Sequence, residues 1–103
     1  MSSSISSKSL ASLVPADFES RVGETFTLAA AGHDRPLKLV EVQHLGHAVR
    51  AGGAFSLQFH APAGPAVPQA VYSLHHPVLG TLDLFIVPLG PKDGVNRYEA
   101  VFT

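Results

Sequence analysis

Residues 72–90 read YSLHHPVLGTLDLFIVPLG. Two adjacent histidines open the stretch, an apolar run closes it, and a Pro and a Gly fall between them. The histidines could be part of a reactive centre, or the whole stretch could be two strands folded against one core. Alternation favours the second reading. Leu82, Leu84 and Ile86 recur at every second position, with Thr81 before them and Asp83 between the first two, the spacing of a strand with one face inward. A residue before proline is biased toward extended backbone, and glycine lets the chain reverse, so His76-Pro77 and Gly80 bracket a turn. The predicted hairpin pairs Val71 to His75 with Thr81 to Val87 across HPVLG. Successive residues of a strand point to opposite faces, so His75 and His76 are divided and one metal ion cannot readily hold both. Phe85 and Val87 make the second face apolar as well. That half-strand is expected to be either central and covered on both sides or part of a subunit contact.

The same period runs outward in both directions. In GETFTLAAA, Phe26 and Leu28 oppose Thr25 and Thr27, and AGHDRP then reads as a turn. In LKLVEVQHLG, Leu37 and Leu39 alternate with Lys38, but Val42 lies one step out of phase, which predicts a bulge near Val40 or burial on both faces there. Gly52 and Gly53 mark a turn before AFSLQFHA, where Phe55, Leu57 and Phe59 oppose Ser56, Gln58 and His60. The prolines of APAGPAVPQ predict a semi-rigid loop outside the ladder, and RYEAVFT is a last strand. Ahead of all this, MSSSISSKS reads as a flexible tail over residues 1–9. ASLVPADFESRVG reads as a short helix with Pro15 at its first position, Phe18 and Val22 sharing one face, and Gly23 beyond its end. The expectation is an all-β protein: one domain over residues 10–103, a small six-stranded, mostly antiparallel barrel or sandwich with one short N-terminal helix.

Composition narrows the function. The 7 Lys and Arg residues nearly balance the 8 Asp and Glu, giving a formal net charge of −1, and the basic residues are scattered. Attraction to nucleic acid or to an anionic membrane surface is not expected from such totals. Cysteine is absent, which excludes disulfides, thiolate metal sites and a cysteine nucleophile. No run approaches the roughly 18 apolar residues of a membrane helix, and the first residues lack the pattern of a secretory signal, so a cytoplasmic protein is expected.

Nothing in the chain matches a set of catalytic, cofactor-binding or metal-ligating residues. Of the 6 histidines, His60 with His75, on neighbouring or facing strands, and His44 with His47, at a strand end, are the pairs that could converge, but no three-ligand spacing is present. The carboxylates Asp17, Glu19, Glu24, Asp34, Glu41, Asp83, Asp93 and Glu99 are spread along the chain, and no GxSxG elbow, dinucleotide fingerprint or phosphate-binding loop occurs. Asp83, between two inward leucines, reads as a solvent-side charge that discourages edge pairing. The expectation is therefore a protein that is not an enzyme and uses no cofactor, whose partner is another protein or a second copy of itself. A small-ligand or metal-binding barrel using histidines is the alternative.

The order DFESRVGETF, LKLVEV, FSLQF, PQAVYSLHHPVLGTLDLFIVPLG, YEAVFT resembles a family of small bacterial proteins of unknown function, often encoded near phage-tail-collar-like or tail-fibre-like genes. The resemblance spans about residues 10 to 103. Its most specific piece is PQxxYxLxHPxLGxLxLFxVPxG, from Pro68 to Gly90. It implies a compact domain with an accessory or structural role beside tail-like machinery, and it carries no catalytic or binding residue onto this chain.

Overall fold

The computed structural model describes residues 13–30, 33–46 and 54–102. The predicted tail over residues 1–9 and the Gly52-Gly53 turn lie outside these. A four-residue helix, α1 (Ala16–Glu19), precedes six strands: β1 (Thr25–Ala30), β2 (His33–Gly46), β3 (Ala54–Pro62), β4 (Ala70–His76), β5 (Gly80–Lys92) and β6 (Val95–Phe102). Every ladder is antiparallel, and the strands close into a barrel in the order β1-β2-β3-β6-β5-β4. The all-β expectation with one short helix holds.

Closure rests on the two longest strands, which change partner part-way. β2 pairs with β1 from His33 to Lys38 and with β3 from Lys38 to Gly46. β5 pairs with β4 from Gly80 to Ile86 and with β6 from Val87 to Lys92. The β2–β3 register slips between Leu39 and Glu41, where the phase of the sequence broke. The extra residue there bends the strand and increases its twist, as a bulge does. Around this ring the even positions of β5 and the odd positions of β3 point inward. Phe26, Leu28, Leu37, Leu39, Phe55, Leu57, Phe59, Leu74, Leu82, Leu84, Ile86 and Tyr98 form the core.

Three boundaries differ from expectation, each for a local reason. HDR belongs to β2 rather than to the turn, because Ala30 pairs directly with His33. β5 runs through Pro88, Gly90 and Pro91, and β6 begins two residues before Arg97. Proline ends a strand only where its missing N–H would have been bonded, and beyond Ile86 β5 has a partner on one side alone. The β5–β6 connection is a two-residue turn in which Asp93 (φ 53°) and Gly94 (φ 82°) are both left-handed. That is the type I′ geometry for which Asp-Gly is a strong hairpin signal.

The barrel ends are closed differently. At one end α1 inserts Phe18, fully buried, against Phe26 (centroids 6.3 Å apart), Phe55 (5.9 Å) and Phe102 (5.9 Å). Asp17 Oδ2 accepts the Val14 N–H at 2.9 Å, fixing the entry to the helix. Val22 lies beyond the helix and is 48% exposed, so it does not share the buried face of Phe18. The helix is shorter than predicted because the chain must reach Gly23, whose N–H bonds to Leu39 O at 2.7 Å beside the bulge. At the other end the proline-rich segment after β3 is anchored by side chains. Arg35 Nη1 donates to Pro65 O, Asn96 Nδ2 to Gly64 O, and Tyr72 Oη to Pro68 O, while Tyr98 Oη accepts the N–H of buried Val67.

Replacing Phe18 by Ala removes three ring contacts from a closed core and is expected to cost about 3–5 kcal/mol in denaturant unfolding. Val22→Ala is expected to stay within about 0.5 kcal/mol.

Candidate functional site

The histidines separate into four environments. β4 and β5 pair His75 with Thr81 and His76 with Gly80, so the expected hairpin is present and the two rings lie on opposite faces. His75 faces solvent, with its Nδ1 2.7 Å from Thr81 Oγ1. His76 is inside. Its Nδ1 accepts the N–H groups of Val78 (3.0 Å) and Leu79 (3.1 Å), which places the ring proton on Nε2, where it is donated to Glu24 Oε1 at 2.6 Å. The ring also lies against Phe26, centroids 4.6 Å apart. One imidazole thus closes the tight turn of the hairpin and ties it to the chain entering β1. This is structural work, since the acceptor nitrogen and the donor nitrogen are both committed.

His44 Nε2 is 2.7 Å from Glu19 Oε2, joining the end of β2 to α1. His47 lies outside the described residues, so its convergence with His44 has no structural counterpart here. The pairing of His60 with His75 is corrected. β3 and β4 are not neighbours in the ring, and both residues point outward, because Phe59 and Ala61 on one strand and Leu74 and His76 on the other take the inward positions. A closed barrel keeps two such outward rings apart. Among the described residues no three His, Cys, Asp or Glu side chains come together as a metal site. Asp83 faces solvent and accepts the Ser73 hydroxyl at 2.6 Å across the β4–β5 ladder.

A different feature stands out on the outer wall. Val71 and Phe85 are directly opposed across β4 and β5, yet 63% and 48% exposed. Val87 continues the outward side of β5, and Val101, 48% exposed, lies outward on β6. Among the described residues the half-strand around Phe85 is therefore not covered on both sides. Polar partners border the strip: Ser73 with Asp83, His75 with Thr81, and Glu99 opposite Val87. An apolar centre with a hydrogen-bonded polar margin is the build of a protein-binding surface.

The comparisons with known proteins name a family but no chemistry. The chain belongs to a family described as a domain of unknown function (DUF6916). Its profile matches residues 13–102, nearly the whole barrel together with α1. No curated protein and no solved structure matches the chain. No helix among the described residues is long and apolar enough to cross a membrane. In this DUF6916 domain His76 and Pro77 open the β4–β5 turn, and the visible role of His76 is to hold that hairpin shut.

Sequence reasoning singled out Phe85 and Val87 but missed Val71 and Val101. Val71 was within reach, because closing the turn at His76 and Gly80 and counting back along the ladder sets Val71 opposite Phe85. Val101 was not, since nothing local says that β6 lies beside β5.

Replacing His76 by Ala strands the buried Leu79 N–H and the partly buried Val78 N–H and is expected to destabilise the fold by about 2–4 kcal/mol. His76→Asn, whose side-chain oxygen can still accept from the turn, should recover part of that loss. His75→Ala should change the unfolding midpoint by no more than about 0.5 kcal/mol equivalent.

Proposed function

We propose that this protein is a non-enzymatic interaction or assembly module that presents the outer face of β4, β5 and β6 to another protein. The observation that carries the reading is the directly opposed pair Val71 and Phe85, left exposed on a wall whose inner face is fully packed. Solvated strand faces favour polar side chains, so a valine and a phenylalanine paired outward expose apolar area that a partner can remove from water. Aromatic residues at the centre of such strips contribute heavily to association. The resemblance to proteins encoded beside phage-tail-collar-like and tail-fibre-like genes supports a partner from tail-like machinery. A second copy of the chain is the other occupant the same face could take.

The test is a capture experiment with the products of adjacent genes, run beside light scattering of the purified chain. The native protein is expected to capture a partner or to self-associate. The Val71→Thr/Phe85→Ser variant should bind at least about tenfold more weakly, with stability changed by no more than about 1 kcal/mol. A native protein that remains monomeric and captures nothing, or a variant that binds as well as the native chain, overturns the reading.

A further inference from the structure

On a different part of the outer wall, we propose a binding site for a small organic anion, a molecule with an apolar body of about one ring and one carboxylate or phosphate group. The site begins with a row of side chains. β2, β3 and β6 set Lys38 opposite His60 and His60 opposite Arg97, so two permanent cations flank one imidazole across adjacent ladders. The neighbouring row holds the acids instead, with Gln58 between Glu41 and Glu99, and no salt bridge joins the two rows among the described residues. A surface arranged only for solubility would intersperse the two signs. Here they are sorted.

Beside the cationic row the wall opens into a recess of about 330 Å³, lined by Pro36, Lys38, His60, Ala61, Pro62 and Val95 among others. Its origin is topological. The β2–β3 ladder ends at the Lys38–His60 pair, and beyond it β2 continues toward β1 while β3 continues beside β6. Pro36 and Pro62 stand on the two diverging segments and offer no N–H groups, so the gap stays apolar and no ladder bond can close it. A second recess of about 240 Å³ shares His60 and Val95 and runs on toward Lys92, Asp93 and Arg97. The apolar recess is at the small end of the roughly 300–1,000 Å³ range of small-molecule sites, which sets the one-ring size of the ligand.

The residues divide the work. Arg97 donates through Nε to Gly90 O and through Nη2 to Leu89 O, both at 3.1 Å, which holds the β5 bulge and fixes the guanidinium in place. It contributes a positioned positive charge. The Lys38 and His60 side chains make no hydrogen bond or ion pair with another described side chain, so they are the groups that meet the anion, while the Lys38 stem covers part of the apolar body. Among the described residues Asp93, on the β5–β6 turn, is the one carboxylate lining either recess, at the margin away from Lys38.

The experiment is a titration of the full-length, isotope-labelled chain with benzoate and with phenyl phosphate, followed by amide chemical shifts, with benzamide as the neutral control. Saturable shifts at Lys38, His60, Ala61 and Val95 are expected for at least one of the two anions, and the tighter of them names the headgroup. Lys38→Met should weaken that binding about five- to tenfold, as expected for loss of one exposed charge contact, while its spectrum reports an intact fold. Val71→Thr/Phe85→Ser should leave it unchanged, so failure of this site and failure of the protein-binding face are separable. No saturable shifts with either anion, equal shifts with benzamide, or full binding by Lys38→Met would each overturn the proposal.

Discussion

The barrel depends on two strands that change partner along their length. β2 serves β1 with its first half and β3 with its second, and β5 does the same for β4 and β6. A strand can do this only if it bends, and bending needs a break in the pleat. The slip between Leu39 and Glu41 supplies it in β2, and the slip between Pro88 and Gly90 supplies it in β5. Each bulge leaves backbone groups that the ladder no longer satisfies. Leu39 exchanges bonds with Gly23 and Glu24, and the Arg97 side chain caps the carbonyls of Leu89 and Gly90. Buried backbone groups left unpaired would cost more than the bend gains, so these partners are conditions of the fold.

His76 shows how one polar group inside such a barrel is made tolerable. Both ring nitrogens have partners, two backbone donors on one side and a carboxylate on the other, and one face rests on Phe26. The result links residues 76, 78 and 79 of the β4–β5 turn to residue 24, which is distant in sequence. The outer wall of the same hairpin carries Val71 and Phe85.

The alternation of Leu82, Leu84 and Ile86, of Phe55, Leu57 and Phe59, and of Phe26 and Leu28 revealed the strands because a two-residue period has one structural meaning when every other side chain must be buried. The phase slip after Leu39 was visible for the same reason. Where β5 passed Pro88 and Pro91 the reading stopped short, since a proline's cost depends on whether its nitrogen faces a neighbour. A chain read alone does not show its neighbours. The Asp93-Gly94 turn could have been identified from its residues and would have carried β5 and β6 to their full lengths.

By itself, then, the sequence determined the strand-rich pattern, the inward faces, the phase slip in β2 and the separation of His75 from His76, all consequences of local geometry repeated along the backbone. It also established that cysteine is absent. Tertiary structure alone decided that β6 lies between β3 and β5 and that Lys38, His60 and Arg97 form one row. It also decided that His60 and His75 stand apart. These relations depend on which strands become neighbours when the ring closes. Closure joins residues through contacts that no spacing along the chain encodes.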